Sequence, residues 1–205
     1  MVYKNFLLRC LFAIIILSIY FITSYIDFNL VFYLILLIYL IIFLEIIIYF
    51  KTYKFIPIIY ITFSFIFFFN IDFKVLNITD FNLLLFIIIT FDIFSYFFGK
   101  AIGKTKLINI SPKKTFEGLV GGIITSLSFA IIFSYYFGIL INVELLMYIV
   151  LVIFSSLSGD LIESYFKRKN DLKNSSNLIP GHGGVFDRFD SFLFSIIVYS
   201  IFISF

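Results

Sequence analysis

Seven apolar stretches dominate this chain: residues 6–26, 30–50, 55–71, 81–98, 118–138, 143–164 and 189–205. A helix needs about 20 apolar residues to cross a bilayer, with ~17–25 usual. In hydrocarbon each backbone N–H and C=O must be satisfied within the segment, which leaves the helix as the natural solution for such runs. The third and last stretches are short, and the last suits a tilted or partly inserted helix. Composition closes off the water-soluble alternative. Of the 205 residues, 62% belong to the AVILMFWYC set and 13% are charged, whereas a soluble domain carries roughly 25% charged and about half apolar residues. Soluble enzymes, disordered proteins and coiled coils are thereby excluded. The expectation is an all-α polytopic transmembrane bundle of about seven spans. It forms one integral membrane domain over 1–205, with N-terminal spans in 1–80 and the later spans and two polar loops in 81–205.

Lys4 and Arg9 precede the first apolar run as in a signal peptide, but no small-residue cleavage site follows, so the stretch reads as a retained helix. Orientation follows from the basic residues. Lys4, Arg9, Lys51, Lys54, Lys100, Lys104, Lys106, Lys113, Lys114, Lys167, Arg168, Lys169, Lys173 and Arg188 all fall on one side of seven crossings, and Lys74 alone on the other. By the positive-inside rule the rich side, which includes the N-terminus, is cytoplasmic. The expected location is the cell's inner (plasma) membrane. Both longer loops, 99–117 and 165–188, lie on that side, and so would any reaction centre.

Acids in lipid are costly, at least ~2.5 kcal/mol each on insertion scales, and mark functional sites by default. Asp92 lies near the cytoplasmic end of the fourth span, and Asp160 and Glu163 near that end of the sixth. Asp187 and Asp190 bracket the start of the seventh. On a helix, Asp160, Glu163 and Ser164 share one face, as do Asp187 and Asp190. Acids gathered at one depth repel unless a cation intervenes, and magnesium, a hard ion that takes oxygen ligands, suits them. Taken singly, any of these acids reads equally well as a helix-end cap or a partner for nearby Lys and Arg. Glu45, one turn from the end of the second span, reads as structural and able to snorkel.

Residues 111–118 (SPKKTFEG) open the fifth span, with Ser111 and Pro112 as a helix-start signal and Lys113 and Lys114 placed to hold phosphate. The plainer reading, juxtamembrane charge attracted to anionic lipid, is favoured for Lys100, Lys104 and Lys169. The most specific segment is 180–190 (PGHGGVFDRFD). Its glycines, Gly183 and Gly184 among them, permit close approach of main-chain N–H groups to phosphate. His182, the sole histidine, orients or binds phosphate rather than a metal, or else satisfies a local backbone group. With Cys10 as the one cysteine, no intrachain disulfide or cysteine metal cluster can form.

Ser164, Lys167, Arg168 and Lys173, then Pro180-Gly181-His182-Gly183-Gly184, then Asp187-Arg188-Phe189-Asp190, resemble the signature of the phosphatidate cytidylyltransferases (CDP-diacylglycerol synthases), with matching spacing across 164–190. The resemblance extends to 159–164, to 111–118 and, more loosely, to 92–99. The first three spans match only in being hydrophobic. Asn174 stands where the family usually has Asp, and Ile93, Phe94 and Ser95 replace smaller residues after Asp92.

The resemblance implies that CTP and phosphatidic acid react to give CDP-diacylglycerol and pyrophosphate, in phospholipid biosynthesis. It implies Mg²⁺ bound by Asp160 and Asp187, with Asp190, Glu163 and Asp92 in support. The expected catalytic groups are Asp160, Asp187, Lys167 and Arg188. The expected substrate contacts are Lys113, Lys114, Ser164, Arg168, His182, Gly183 and Gly184. Partners are CTP, phosphatidic acid and membrane lipids; nucleic acid is not among them, and a homodimer is allowed. Two alternatives stay open: a related cytidylyltransferase acting on a prenyl or ether lipid phosphate, and, from another class, an ion-coupled transporter.

Overall fold

The computed structural model describes residues 2–108, 110–179 and 183–203, the side chains of 2–13, 112 and 113 excepted. Among the described residues are seven helices: α1 (Val2–Ile26), α2 (Asn29–Tyr49), α3 (Phe55–Phe69), α4 (Ile78–Ile102), α5 (Phe116–Tyr136), α6 (Val143–Lys169) and α7 (Phe186–Ile203). Each coincides, to within a few residues, with one of the seven apolar stretches. Four of them, α2, α4, α5 and α6, are long and apolar enough to cross a membrane. The protein is thus a predominantly helical membrane protein. The fold adds one feature to the expected all-α class, an antiparallel hairpin of β1 (Lys106–Ile108) and β2 (Ser111–Thr115), with Lys106 opposite Thr115 and Ile108 opposite Ser111.

That hairpin corrects the expected helix start at Ser111 and Pro112, which lie in β2. Helix α5 begins at Phe116, with Thr115 as N-cap: its hydroxyl accepts from the Gly118 N–H at 3.1 Å. Thr115 has the oxygen and the extended backbone that a cap requires. Glu117, in the first helical turn, reaches back to accept from the Thr105 N–H at 3.2 Å and hydroxyl at 2.9 Å. Both contacts hold β2 in line with the helix.

The chain divides into two compact units, Met1–Leu76 with Phe166–Phe189, and Asn77–Tyr165 with Asp190–Phe205. In the first, α2 buries Val31, Ile35, Tyr39, Ile42, Glu45 and Ile46, a stripe at three- and four-residue spacing. Helix α3 buries Pro57, Ile61, Ser64 and Phe68. The two stripes meet where Tyr39 Oη and Ser64 Oγ share a hydrogen bond of 2.6 Å and Phe32 stacks on Phe68 at 5.1 Å. The α2–α3 connection is tied to the end of α6, because Asn170 Oδ1 accepts from the Thr52 and Tyr53 N–H groups at 3.1 and 3.2 Å.

In the second unit α4 and α5 approach closely through small residues. A Cβ on Gly118 would lie 2.6 Å from the Ser95 carbonyl oxygen and 3.0 Å from the Gly99 Cα, so backbone contact there depends on glycine. Helices α6 and α7 are joined by a buried hydrogen bond from Ser155 Oγ to Ser195 Oγ, 2.9 Å long. Phe81 of α4 packs edge-on against Tyr199 of α7 at 5.7 Å.

Candidate active site

In the second unit, α6 places Asp160, Glu163 and Ser164 on one face, and Gly159 lets α7 come close: a Cβ there would overlap the Asp190 carbonyl oxygen. Asp160, Glu163 and Asp190 each direct an oxygen into one cluster, all within 4.8 Å of one another, with Glu163 fully buried. Lys114 Nζ lies 2.5 Å from Asp160 Oδ2, and Ser164 Oγ donates to Asp160 Oδ1 at 3.3 Å. Asp92 stands within electrostatic range of Asp160 and Lys114, beside Ser156 and Ser191. Three carboxylates so close repel one another in their charged forms, and Lys114 supplies a counter-charge to Asp160. An all-oxygen, partly shielded donor set of this kind fits a hard divalent cation.

In the first unit, Asp187 occupies the first turn of α7. Its Oδ1 accepts from Lys167 Nζ at 2.6 Å, with only 13% and 8% of the two side chains exposed. Its Oδ2 accepts from the Ser175 N–H and hydroxyl, both at 2.9 Å, and from the Gly184 N–H at 2.8 Å. Gly183 adopts φ 89°, in the left-handed region that favours glycine. It packs against Asn174 and the Asp187 carboxylate, so the residue that departs from the family pattern lies beside that carboxylate's own loop.

Of the other predicted residues, Arg168 is exposed and donates from Nη1 to the Leu172 carbonyl at 3.3 Å, which closes the end of α6. A guanidinium has five N–H donors, and this bond takes one of them. Arg188 is exposed. The Lys113 side chain and His182 lie outside the described residues. Thus Asp160, Glu163, Asp190, Asp92, Lys114 and Ser164 are brought together in one unit, and Asp187, Lys167 and Gly184 in the other.

The structure corrects the reading of Glu45 as a snorkelling side chain. It is 1% exposed, and its Oε2 accepts from the Val185 and Phe186 N–H groups at 2.9 and 3.2 Å. A signal was present in the sequence: an acid in an apolar run with no Lys or Arg one turn away on either side. Ser175, which donates twice to Asp187, and Asn170, which holds the α2–α3 connection, had no local signature.

The chain is similar to the phosphatidate cytidylyltransferase of Staphylococcus haemolyticus, 48% identical over 103 residues, 49% of this chain and 39% of that protein. It is 50% identical over 103 residues to the Bacillus subtilis phosphatidate cytidylyltransferase, 49% of this chain and 38% of that one. With phosphatidate cytidylyltransferase 5, chloroplastic, of Arabidopsis thaliana the identity is 45% over 109 residues, 53% of this chain and 27% of the relative. The chain therefore spans about two fifths or less of the curated relatives it matches. The match to the cytidylyltransferase family as a whole runs over residues 3–205, nearly end to end, and on that ground this chain belongs to the cytidylyltransferase family.

Proposed function

We propose that this protein is a membrane-embedded phosphatidate cytidylyltransferase that makes CDP-diacylglycerol and pyrophosphate from CTP and phosphatidic acid, in phospholipid biosynthesis. The observation that carries the reading is the cluster of Asp160, Glu163 and Asp190 with Lys114 on Asp160, in a chain of the cytidylyltransferase family. The 205 residues act as one membrane domain of seven crossings. The N-terminus and both polar loops face the cytoplasm at the inner membrane, as the distribution of Lys and Arg favours.

In the proposed reaction an oxygen of the lipid phosphate attacks the α-phosphorus of CTP, a new P–O bond forms, and the bond to the β-phosphate breaks to release pyrophosphate. The lipid phosphate is already ionised near neutral pH, so no strong base is required. Protein catalysis of such transfers is positioning and charge stabilisation. Asp160, Glu163 and Asp190, with Asp92 beside them, are the residues that would hold magnesium, and Asp187 is a further ligand by resemblance. The ion, when bound, neutralises charge on the nucleotide phosphates. Lys114 donates one N–H toward Asp160 and keeps two for phosphate oxygens. Arg188 offers a bidentate grip on phosphate and Lys167 a point charge. Apolar tails of the lipid stay in the bilayer while its head group meets CTP at the surface.

The test is incorporation of labelled CTP into lipid by the purified protein in detergent, with magnesium and a panel of lipid phosphates. Turnover with phosphatidic acid is expected. Turnover confined to a prenyl or ether lipid phosphate would replace the substrate, and none with any lipid phosphate would overturn the reading.

A further inference from the structure

The buried stripe of α2 is apolar except for Tyr39 and Glu45, and Glu45 is the only ionisable carboxylate on it. Its partners are the two N–H groups that open α7. The Val185 carbonyl accepts the first helical bonds, from Arg188 at 3.0 Å and Phe189 at 3.2 Å, so Val185 is the cap position and Phe186 the first residue inside. Valine has no side-chain acceptor with which to cap its own helix. Glu45 instead takes the N–H of Val185 itself and that of Phe186, from 140 residues away and through one oxygen.

Three successive N–H groups are thereby shared between two carboxylates: Gly184 donates to Asp187, and Val185 and Phe186 donate to Glu45. The fit depends on Gly184, because a Cβ there would overlap Glu45 Oε1 and Ser175 Oγ. Phe50, one turn beyond Glu45 near the end of α2, packs on Phe186 with ring centroids 6.2 Å apart. A charged group in this setting costs several kcal/mol in desolvation unless it is well bonded, and a plain apolar contact would suffice to hold two helices together. The bonds instead fix the backbone from which Asp187 and Arg188 project.

We propose that Glu45 is a positioning residue for the transfer reaction: its carboxylate sets the start of α7 and so the orientation of Asp187 and Arg188. This role rests on the cytidylyltransferase reading above. It assigns work to α2, which lies outside the motif segments of residues 92–190.

The experiment compares Glu45→Leu, Glu45→Gln and Gly184→Ala with the wild type in the CTP-incorporation assay, measuring kcat and KM for CTP and lipid, with thermal unfolding followed in parallel. Leu suits an apolar helix but takes the acceptor away from the Val185 and Phe186 N–H groups, so the unfolding measurement separates loss of fold from loss of rate. A misplacement of about 1 Å costs on the order of 10²-fold in rate, and that loss is expected in kcat, with KM changed little. Glu45→Gln keeps one acceptor oxygen without the charge that strengthens its bonds, and is expected to recover activity to within about tenfold of the wild type. Gly184→Ala pushes on the same contact from the other side and is expected to lose kcat as Glu45→Leu does. In the double variant Glu45→Leu/Gly184→Ala the two losses should not add, since they disturb one contact. A folded Glu45→Leu protein with wild-type kcat would overturn the role while leaving the enzyme assignment standing. So would a Glu45→Gln protein as inactive as Glu45→Leu. An inactive wild type would overturn both.

Discussion

Replacing Asp187 by Asn tests how far its carboxylate is committed. An amide has one acceptor oxygen where the carboxylate has two. If that oxygen faces the Ser175 N–H, the Ser175 hydroxyl and the Gly184 N–H, the amide NH₂ is turned toward Lys167 Nζ, now donor against donor where the native contact is 2.6 Å. If the group is flipped, Lys167 keeps an acceptor but the two backbone N–H groups lose theirs, which is worse. The ion pair is lost in either orientation, and the favoured one also turns a donor toward Lys167. With the two side chains 13% and 8% exposed, removal of one partner falls in the range for buried pairs, about 3–5 kcal/mol. At about 1.4 kcal/mol per tenfold, the lower bound is on the order of 10²-fold in the folding equilibrium. The assay is denaturant unfolding of the purified protein in mixed micelles, run beside CTP incorporation. Asp187→Asn should insert into membranes, unfold at lower denaturant and lose turnover. Lys167→Met/Asp187→Asn, which removes both charges, should regain stability to within about 1 kcal/mol of the wild type but stay inactive. A single variant as stable as the wild type would refute the ion-pair reasoning. A double variant that turns over would refute the catalytic role of both side chains.

Four further outcomes are expected. Lys114→Met removes the 2.5 Å contact with Asp160, where 24% and 30% of the side chains are exposed; stability should change by no more than about 1 kcal/mol, while KM for CTP rises in steady-state kinetics. Chelation with EDTA should abolish turnover and added magnesium restore it. Glu163→Gln, in the cluster with Asp160 and Asp190, should then raise the magnesium concentration needed for half-maximal rate, and an unchanged magnesium profile would remove Glu163 from the ligand set. Gly118→Val places a side chain against the Ser95 carbonyl and the Gly99 Cα, so it should lower the unfolding temperature of the purified protein, with a cost of roughly 1–3 kcal/mol as for other overpacked contacts. A variant as heat-stable as the wild type would show that α4 and α5 can separate there without penalty.

Much of the fold was legible because membrane helices obey a local rule. Run length and apolarity are properties of contiguous residues, and all seven apolar stretches coincide with helices. The 99–117 loop was read less well. Pro112 after Ser111 looks like a helix start, but the actual start depends on Thr115 meeting the Gly118 N–H and on Glu117 folding back to Thr105, a pairing twelve residues apart. Asp160 and Glu163 could be placed on one face from helical spacing alone, and the cluster contains both. Lys114 beside Asp160 could not, because the residues lie on different elements and nothing in either neighbourhood names the other.

Sequence by itself determined the helical class, the membrane setting and the signature that places the chain in its family, since each is written in contiguous residues. Tertiary structure alone decided which donor meets which acid: Lys167, Ser175 and Gly184 around Asp187, and Val185 and Phe186 on Glu45 across 140 positions. The physical reason is that hydrocarbon enforces backbone hydrogen bonding segment by segment, whereas a buried carboxylate can be satisfied by any donor that packing delivers, however distant along the chain.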